Sequence, residues 1–359
     1  MTDPPAPPLA KHRRRPRYSG SHPRAFHDKY KELDPDRYAG EIAKVMASGK
    51  TPAGMHRPIM VAEILAILAP RPGDFAVDAT LGYGGHTAAL LDAVLPGGRV
   101  LALDVDPIEL PKTEARLRAR DIPADALLVR RSNFAGLSRL LAADNLPAAD
   151  VVLADLGVSS MQLDDPARGF TFKRAGPLDL RMNPRRGQSA AALLDSIDAT
   201  KLARLLEENA DVPDSRTLAM AIVERQQRAP IATTTDLAEA VTRVRASRPA
   251  GRNAAGAGDS VRRVFQALRI AVNDEFGALD AFLRLLPGCL APGGRVAVLT
   301  FHSGEDRRVK QAFKEGADSG VFDRVNDEVV RAGPDERRAN PRSAAAKLRW
   351  AHRHSSRSG

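Results

Sequence analysis

The chain has 359 residues, 43% of them apolar, which is enough for one large or two moderate domains with a buried core. It contains no apolar run long enough to span a bilayer and no apolar secretory core near its start, and its single Cys289 excludes an intramolecular disulfide; a cytoplasmic protein with no membrane segment is expected. The formal charge of +10 sits at the ends: residues 1–31 and 331–359 each hold eight Lys/Arg and two acids, leaving the body between them slightly acidic. Such ends read either as solvated tails or as arms that add salt-sensitive affinity for phosphates.

Residues 1–50, rich in Pro and Arg, read as a disordered basic leader with helical periodicity only from Tyr38 to Met46. Order is expected from about His56. Ile59, Ala62, Ile64, Leu65 and Leu68 recur at helical spacing after Pro58, and Pro70-Arg-Pro-Gly73 ends the helix.

The stretch from Phe75 to Asp106 then predicts strand, glycine-rich turn, helix and strand, with a carboxylate closing each strand. Gly82, Gly84 and Gly85 permit a sharp turn and close approach of a ligand. Asp104, at the end of the second strand, is an acceptor-only group suited to two ribose hydroxyls. The pattern points to a nucleoside-containing cofactor. Thr87 occupies the third glycine position of a dinucleotide fingerprint, and Asp78 would repel a pyrophosphate, so S-adenosylmethionine fits better than a nicotinamide dinucleotide.

Further strands are expected at Ala126–Val129 and Asp150–Ala154, the latter ending in Asp155. Strands alternating with helices imply parallel βαβ units that gather ligands at their C-terminal ends. From Leu163 to about Gly258 the sequence predicts helices only, at Ala190–Leu194, Thr200–Asn209, Thr217–Gln227 and Thr235–Val244. A long amphipathic helix over Ser260–Leu286, stopped by Pro287-Gly288, returns the chain to a strand at Val296–Phe301. Ala346–Trp350 reads as an antiparallel edge strand. The expected division is therefore a leader (1–50), a first α/β part (51–162), a helical insertion domain (163–258), a second α/β part (259–352) and a disordered tail (353–359).

Seven blocks in order carry a resemblance: Asp78-Ala-Thr-Leu-Gly-Tyr-Gly-Gly-His86, Asp155-Leu-Gly-Val-Ser-Ser-Met-Gln-Leu-Asp-Asp165, Arg168-Gly-Phe-Thr-Phe172, Gly176-Pro-Leu-Asp-Leu-Arg-Met182, Phe265-Gln-Ala-Leu-Arg-Ile270, Phe301-His-Ser303 and Asn340-Pro-Arg-Ser343. Over roughly residues 55–352 the chain resembles the bacterial 16S ribosomal RNA cytosine-N(4) methyltransferases of the RsmH/MraW type. The resemblance implies a Rossmann-like class I α/β methyltransferase sheet with a helical insertion domain. It also implies S-adenosyl-L-methionine as cofactor, and 16S rRNA or the small ribosomal subunit as partner. The reaction would be methylation of a decoding-centre cytidine. Carried over by position, the cofactor contacts are Gly84, Gly85, His86, Asp104, Phe134, Asp155 and Gln162.

Asp155 is also the candidate catalytic group, since it stands where amino-group methyltransferases often carry Asp/Asn-Pro-Pro-Tyr, although here the sequence is Asp155-Leu-Gly-Val. Phe134 suits stacking on adenine or a place in the core. His302 reads as scaffold or RNA contact, because methyl transfer to a neutral amine needs orientation more than prior proton removal. The chemistry asks for no metal, and the His and Cys spacing matches no zinc motif. Arg168, Lys173, Arg174, Arg181, Arg185 and Arg186 are candidate RNA contacts. The chain departs from the family pattern around Asn209–Arg216 and at Gly258-Asp-Ser-Val-Arg-Arg263. Two other classes compete: a nicotinamide-dependent oxidoreductase sharing the first βαβ unit, and a non-catalytic RNA-binding assembly factor.

Overall fold

The computed structural model describes residues 58–246 and 256–355. The leader and its Tyr38–Met46 helix lie outside the described residues, as do 356–359 of the expected tail. Helix α1 (Val61–Leu68) leads into β1 (Phe75–Asp78), α2 (Gly85–Val94), β2 (Arg99–Asp104), α3 (Glu109–Arg118), β3 (Leu127–Arg131), α4 (Leu137–Ala143) and β4 (Ala149–Asp155). β1 pairs in parallel with both β2 and β4, and β2 with β3. All four residues of β1 are buried, as parallel strands must be when helices cover both faces. Val77, Leu101 and Val152 face one apolar cluster, while Ala76, Val100 and Val151 face another with Ile64, Leu68, Leu90 and Leu91. The strand order reverses between β1 and β4, and the crevice at such a point is where open α/β sheets bind ligands.

After β4 come α5 (Ser160–Asp164), α6 (Ala190–Ser196), α7 (Ala199–Ala210), α8 (Ser215–Arg228), α9 (Thr234–Ala246) and α10 (Ala257–Asn273). Among the described residues of 163–258 there is no strand, only the isolated bridge Pro177–Thr233. Ser189 and Asp198 start α6 and α7 by accepting the backbone N–H of Ala192 and Lys201, the usual work of an N-cap. These helices close around Leu194, Leu202, Leu206, Leu218, Ile222, Leu237 and Val241, together with Val264, Phe265 and Leu268 of α10. Each such side chain contributes about 1.5–3 kcal/mol on burial.

The single helix expected over Ser260–Leu286 is two. Asp274, at φ 48°, breaks it between α10 and α11 (Glu275–Cys289). The left-handed turn costs an Asp little. It lets α10 bury its apolar face among the insertion helices while Leu279, Phe282, Leu283 and Leu286 of α11 pack under the sheet. Pro287 lies inside α11, which ends only at Cys289.

The chain then adds β5 (Leu290–Thr300), α12 (Ser303–Asp318), β6 (Phe322–Val325), α13 (Pro334–Ala339) and β7 (Lys347–Arg353), completing the order β3-β2-β1-β4-β5-β7-β6. β7 is antiparallel, as expected, but it lies between β5 and β6 rather than at the edge. β6 takes the edge and escapes the sequence pattern because two of its four residues, Asp323 and Arg324, are exposed. The basic C-terminal stretch is also largely part of the fold. Lys347 and Arg349 both donate to Asp306 of α12, at 2.8 and 2.6 Å, so one of their two charges is offset locally.

Candidate active site

The C-terminal ends of β1, β2, β4 and β5 open into a cavity of about 760 Å³, within the range typical of ligand sites. Its rim begins at the glycine turn. Gly84 has φ 82°, and a Cβ there would stand 2.8 Å from Thr113 Cγ2; one on Gly85 would stand 2.8 Å from Pro58 Cγ. Thr113 Oγ1 donates to the Gly82 carbonyl at 2.8 Å and accepts from Arg116 at 2.7 Å, while the Arg116 guanidinium lies 3.8 Å from the Tyr83 ring centre. The turn is thus braced from outside by α3. Asp78 braces it from inside. Fully buried, it accepts from Thr87 Oγ1 at 2.6 Å and from the Thr80 N–H at 3.1 Å, and burial pushes its carboxyl up. Asp78 does not line the cavity, so the repulsion of a pyrophosphate expected of it has no surface on which to act.

Asp104 does line the cavity, as do all the other expected cofactor contacts. Its Oδ2 accepts the Gly82 N–H and its Oδ1 the Asp106 N–H, both at 2.8 Å, which fixes the carboxylate and leaves lone pairs for hydroxyls. Burial raises its pKa to about 6 against those two hydrogen bonds. The Phe134 ring packs edge-on against Phe282 at 5.4 Å and also lines the cavity.

Gln162 is more committed than expected. Its Oε1 accepts the Ser159 N–H at 2.9 Å, completing a capping box for α5, and its Nε2 donates to Asp106 Oδ2 at 2.7 Å. Asp106, which the sequence reading passed over, is the buried hub of this wall. It also accepts from Arg168 at 2.8 Å and from the Ile108 N–H at 2.8 Å. Its signal was its position two residues after Asp104 at a strand end.

At the end of β4, Asp155 Oδ2 stands 3.5 Å from His86 Nδ1, and His86 Nε2 stands 2.9 Å from the Ile59 carbonyl. A carbonyl only accepts, so Nε2 carries a hydrogen and Nδ1 is the ring atom offered to Asp155. Burial raises the Asp155 pKa to about 6; His86 opposes the shift, and the charges of Asp78 and Glu305 add to it. The Asp155 N–H donates to Thr80 Oγ1 at 2.6 Å, tying the acid to the end of β1.

The opposite wall comes from α10, α11 and the start of α12. Arg269 grips both oxygens of Glu275 at 2.8 Å. His302 caps α12: its Nδ1 accepts the Glu305 N–H at 3.4 Å, and its ring centre lies 5.8 Å from that of Phe276, the scaffold role expected of it. Glu305 Oε2 accepts the Phe301 N–H at 2.8 Å, and Oε1 lies 3.1 Å from His302 Nε2, off the direction of a hydrogen bond. Burial would raise the Glu305 carboxyl, but His302 and Arg269 outweigh it and hold it low. Glu275, His302 and Glu305 could meet a cation geometrically; the Glu275 oxygens are on Arg269 and Glu305 Oε2 is on the Phe301 N–H.

Two of the expected RNA contacts are engaged within the protein. Arg168 is buried, donating to Asp106 and to the Met182 carbonyl at 2.8 Å each. Arg181 holds both oxygens of Asp179 at 2.7 Å. Lys173, Arg185 and Arg186 are exposed and Arg174 is half-buried. These four flank Phe172 and Met182, which line the cavity.

A seven-stranded sheet with its last strand inserted antiparallel, a glycine turn after β1 and acids ending β2 and β4 define a class I methyltransferase. The chain belongs to the MraW methylase family, whose model matches residues 53–354. It is similar to "Ribosomal RNA small subunit methyltransferase H 1" of Lachnoclostridium phytofermentans, at 48% identity over 95% of this chain and 93% of that protein. It is equally similar to "Ribosomal RNA small subunit methyltransferase H 2" of Alkaliphilus metalliredigens, at 48% identity over 95% of this chain and 97% of that protein. Membership in a methylase family sets aside the oxidoreductase alternative.

Proposed function

We propose that this protein transfers a methyl group from S-adenosyl-L-methionine to the 4-amino group of a decoding-centre cytidine in 16S rRNA, presented in the cytoplasm as RNA or within the small ribosomal subunit. The observation that carries this reading is Asp155, an oriented acceptor at a strand end, in the same cavity as the glycine turn and Asp104. The names of its relatives, ribosomal RNA small subunit methyltransferases, agree with it.

The residues fit the cofactor. Gly84 and Gly85 leave room for close approach, Asp104 keeps acceptor capacity for a ribose diol, and Phe134 offers a ring face to adenine. Gln162, with both ends of its amide engaged, shapes the wall rather than reaching far into the cavity. When bound, S-adenosyl-L-methionine supplies the methyl group on a sulfonium.

The cytosine amino nitrogen is a poor nucleophile because its lone pair is conjugated with the ring. Asp155 accepts an N4–H, which fixes the amine in line and stabilises the positive charge that develops on nitrogen as the N–C bond forms. It then takes the departing proton. The Asp155 backbone is held by Thr80 Oγ1, and His86 Nδ1 stands 3.5 Å from its carboxyl. Uracil has no hydrogen on O4 to give an acceptor, so the same carboxylate disfavours it. A stacked cytidine must be extruded, at a cost of a few kcal/mol. Lys173, Arg174, Arg185 and Arg186 meet RNA phosphates beside the cavity. We assign residues 51–162 and 259–352 to the methyltransferase part and 163–258 to an RNA-facing insertion, with α10 of the second part packed into the insertion's core.

Methyl transfer from labelled cofactor to small subunits lacking the modification, followed by mass spectrometry of the nucleosides, tests the proposal. N(4)-methylcytidine made by the native chain and lost in Asp155→Ala is expected. Modification of another base would overturn the cytosine assignment, and no methyl transfer at all would favour the non-catalytic assembly factor.

A further inference from the structure

Gln266 lies on α10 in the wall opposite the strand ends, and it differs from its polar neighbours there. Asn273 uses its amide on Leu180, Arg269 and Met182; Arg269 is held by Glu275; Gln162 is engaged at both ends. Among the described residues lining the cavity, Gln266 is a polar side chain with neither its donor nor its acceptor engaged. Gln266 is half-buried, and an amide facing a cavity with both functions free can pair with a group offering one acceptor and one donor side by side.

Its position narrows the partner. Gln266 sits one turn before Arg269, on the same side of the helix. Glu305 is near enough to both Arg269 and Asp155 for its charge to bear on each. Gln266 and Asp155 line the same cavity, Gln266 from the α10 wall and Asp155 from the end of β4.

We propose that Gln266 reads the Watson–Crick edge of the target cytosine, its Nε2–H donating to N3 and its Oε1 accepting the second N4–H. This rests on the cytosine reading above and deepens it. Cytosine N3 and N4 present an acceptor beside an amino donor, the pattern by which a Gln amide reads adenine N7 and N6 in two hydrogen bonds. Asp155 and Gln266 then bracket the amine with two acceptors, leaving its nitrogen held in plane. The labour divides: Asp155, which cannot donate when ionised, rejects uracil, and Gln266 supplies affinity and angle.

The test uses Gln266→Ala and Gln266→Glu, with calorimetric titration of S-adenosyl-L-methionine beside kcat/KM for small subunits lacking the modification. Cofactor affinity within about twofold of native, with kcat/KM down roughly ten- to hundredfold in Gln266→Ala, is expected. Gln266→Glu loses the N3 donor when ionised, so its rate relative to native falls at pH 8 and recovers as the pH is lowered and the carboxyl regains a proton. Native kcat/KM in Gln266→Ala overturns the assignment, as does a matching loss of cofactor affinity, or a Gln266→Glu to native ratio that ignores pH. A native chain that makes no N(4)-methylcytidine sinks the cytosine reading itself, an outcome read before any variant is compared.

Discussion

His86 touches the Ile59 carbonyl with one ring nitrogen, at 2.9 Å, and Asp155 with the other, at 3.5 Å. Because Nε2 must keep its hydrogen for the carbonyl, the contact with Asp155 is attractive when a proton lies between Nδ1 and the carboxyl. The pair is tethered at both ends, to the segment before α1 and to β4.

That relationship sets a pH dependence. Asp155 is raised to about 6 by burial, and it can take the departing proton only when ionised. The sign follows: kcat/KM should fall about tenfold per pH unit below 6 and level off above it, since this parameter reports groups of the free protein. Asp155→Asn should lose most turnover and the acid limb together, while binding cofactor nearly as well. Rates measured from pH 5 to 8 check this, and a native profile flat across that range would remove Asp155 from the proton path.

Asp104→Ala should weaken cofactor binding by about 1.5–3 kcal/mol, roughly ten- to hundredfold, and leave RNA binding nearly unchanged. The carboxylate is pinned by the Gly82 and Asp106 N–H groups and faces the cavity. Part of the loss will come from the glycine turn, which loses an anchor. Calorimetry with cofactor and a filter-binding assay with RNA separate the two affinities, and an unchanged cofactor Kd contradicts the assignment.

Gly84→Ala places a methyl 2.8 Å from Thr113 Cγ2 at φ 82°. Left-handed backbone costs a non-glycine residue about 1–2 kcal/mol, before any clash. The melting temperature should fall, and cofactor affinity should fall further than that of a surface variant of equal stability. Unaltered binding in a folded Gly84→Ala protein would show that the turn does not approach the ligand.

Arg168 and Arg186 should behave oppositely although both looked like RNA contacts in the sequence. Arg168→Met strands Asp106 in the interior and should cost about 3–5 kcal/mol of stability. Arg186→Ala, at an exposed site, should leave the melting temperature unchanged, weaken RNA binding and flatten its salt dependence by about one counterion. Denaturant melts and affinity against salt concentration give both readings. A stable Arg168→Met, or an Arg186→Ala with native salt slope, contradicts them.

The parallel strands, the glycine turn and the carboxylates at 104 and 155 were legible in the chain because each is a local pattern: buried β-branched runs, residues that alone permit a left-handed turn, and acids at a strand end. The helices of the insertion were legible for the same reason, through 3.6-residue spacing and side-chain caps. What the sequence could not decide depends on who meets whom. Asp78 and Asp104 both end strands, yet only packing of Thr87 and Thr80 over one of them makes it internal. Arg168 and Arg186 carry the same charge, and only the fold brings Asp106 beneath the first. The break at Asp274 was hidden because both halves of the helix keep an apolar face, and only two separate cores reveal that the faces point to different partners. Gln266 stood in a recognisable block with no role, since an unpaired amide is defined by what does not reach it, and that is a property of the tertiary structure alone.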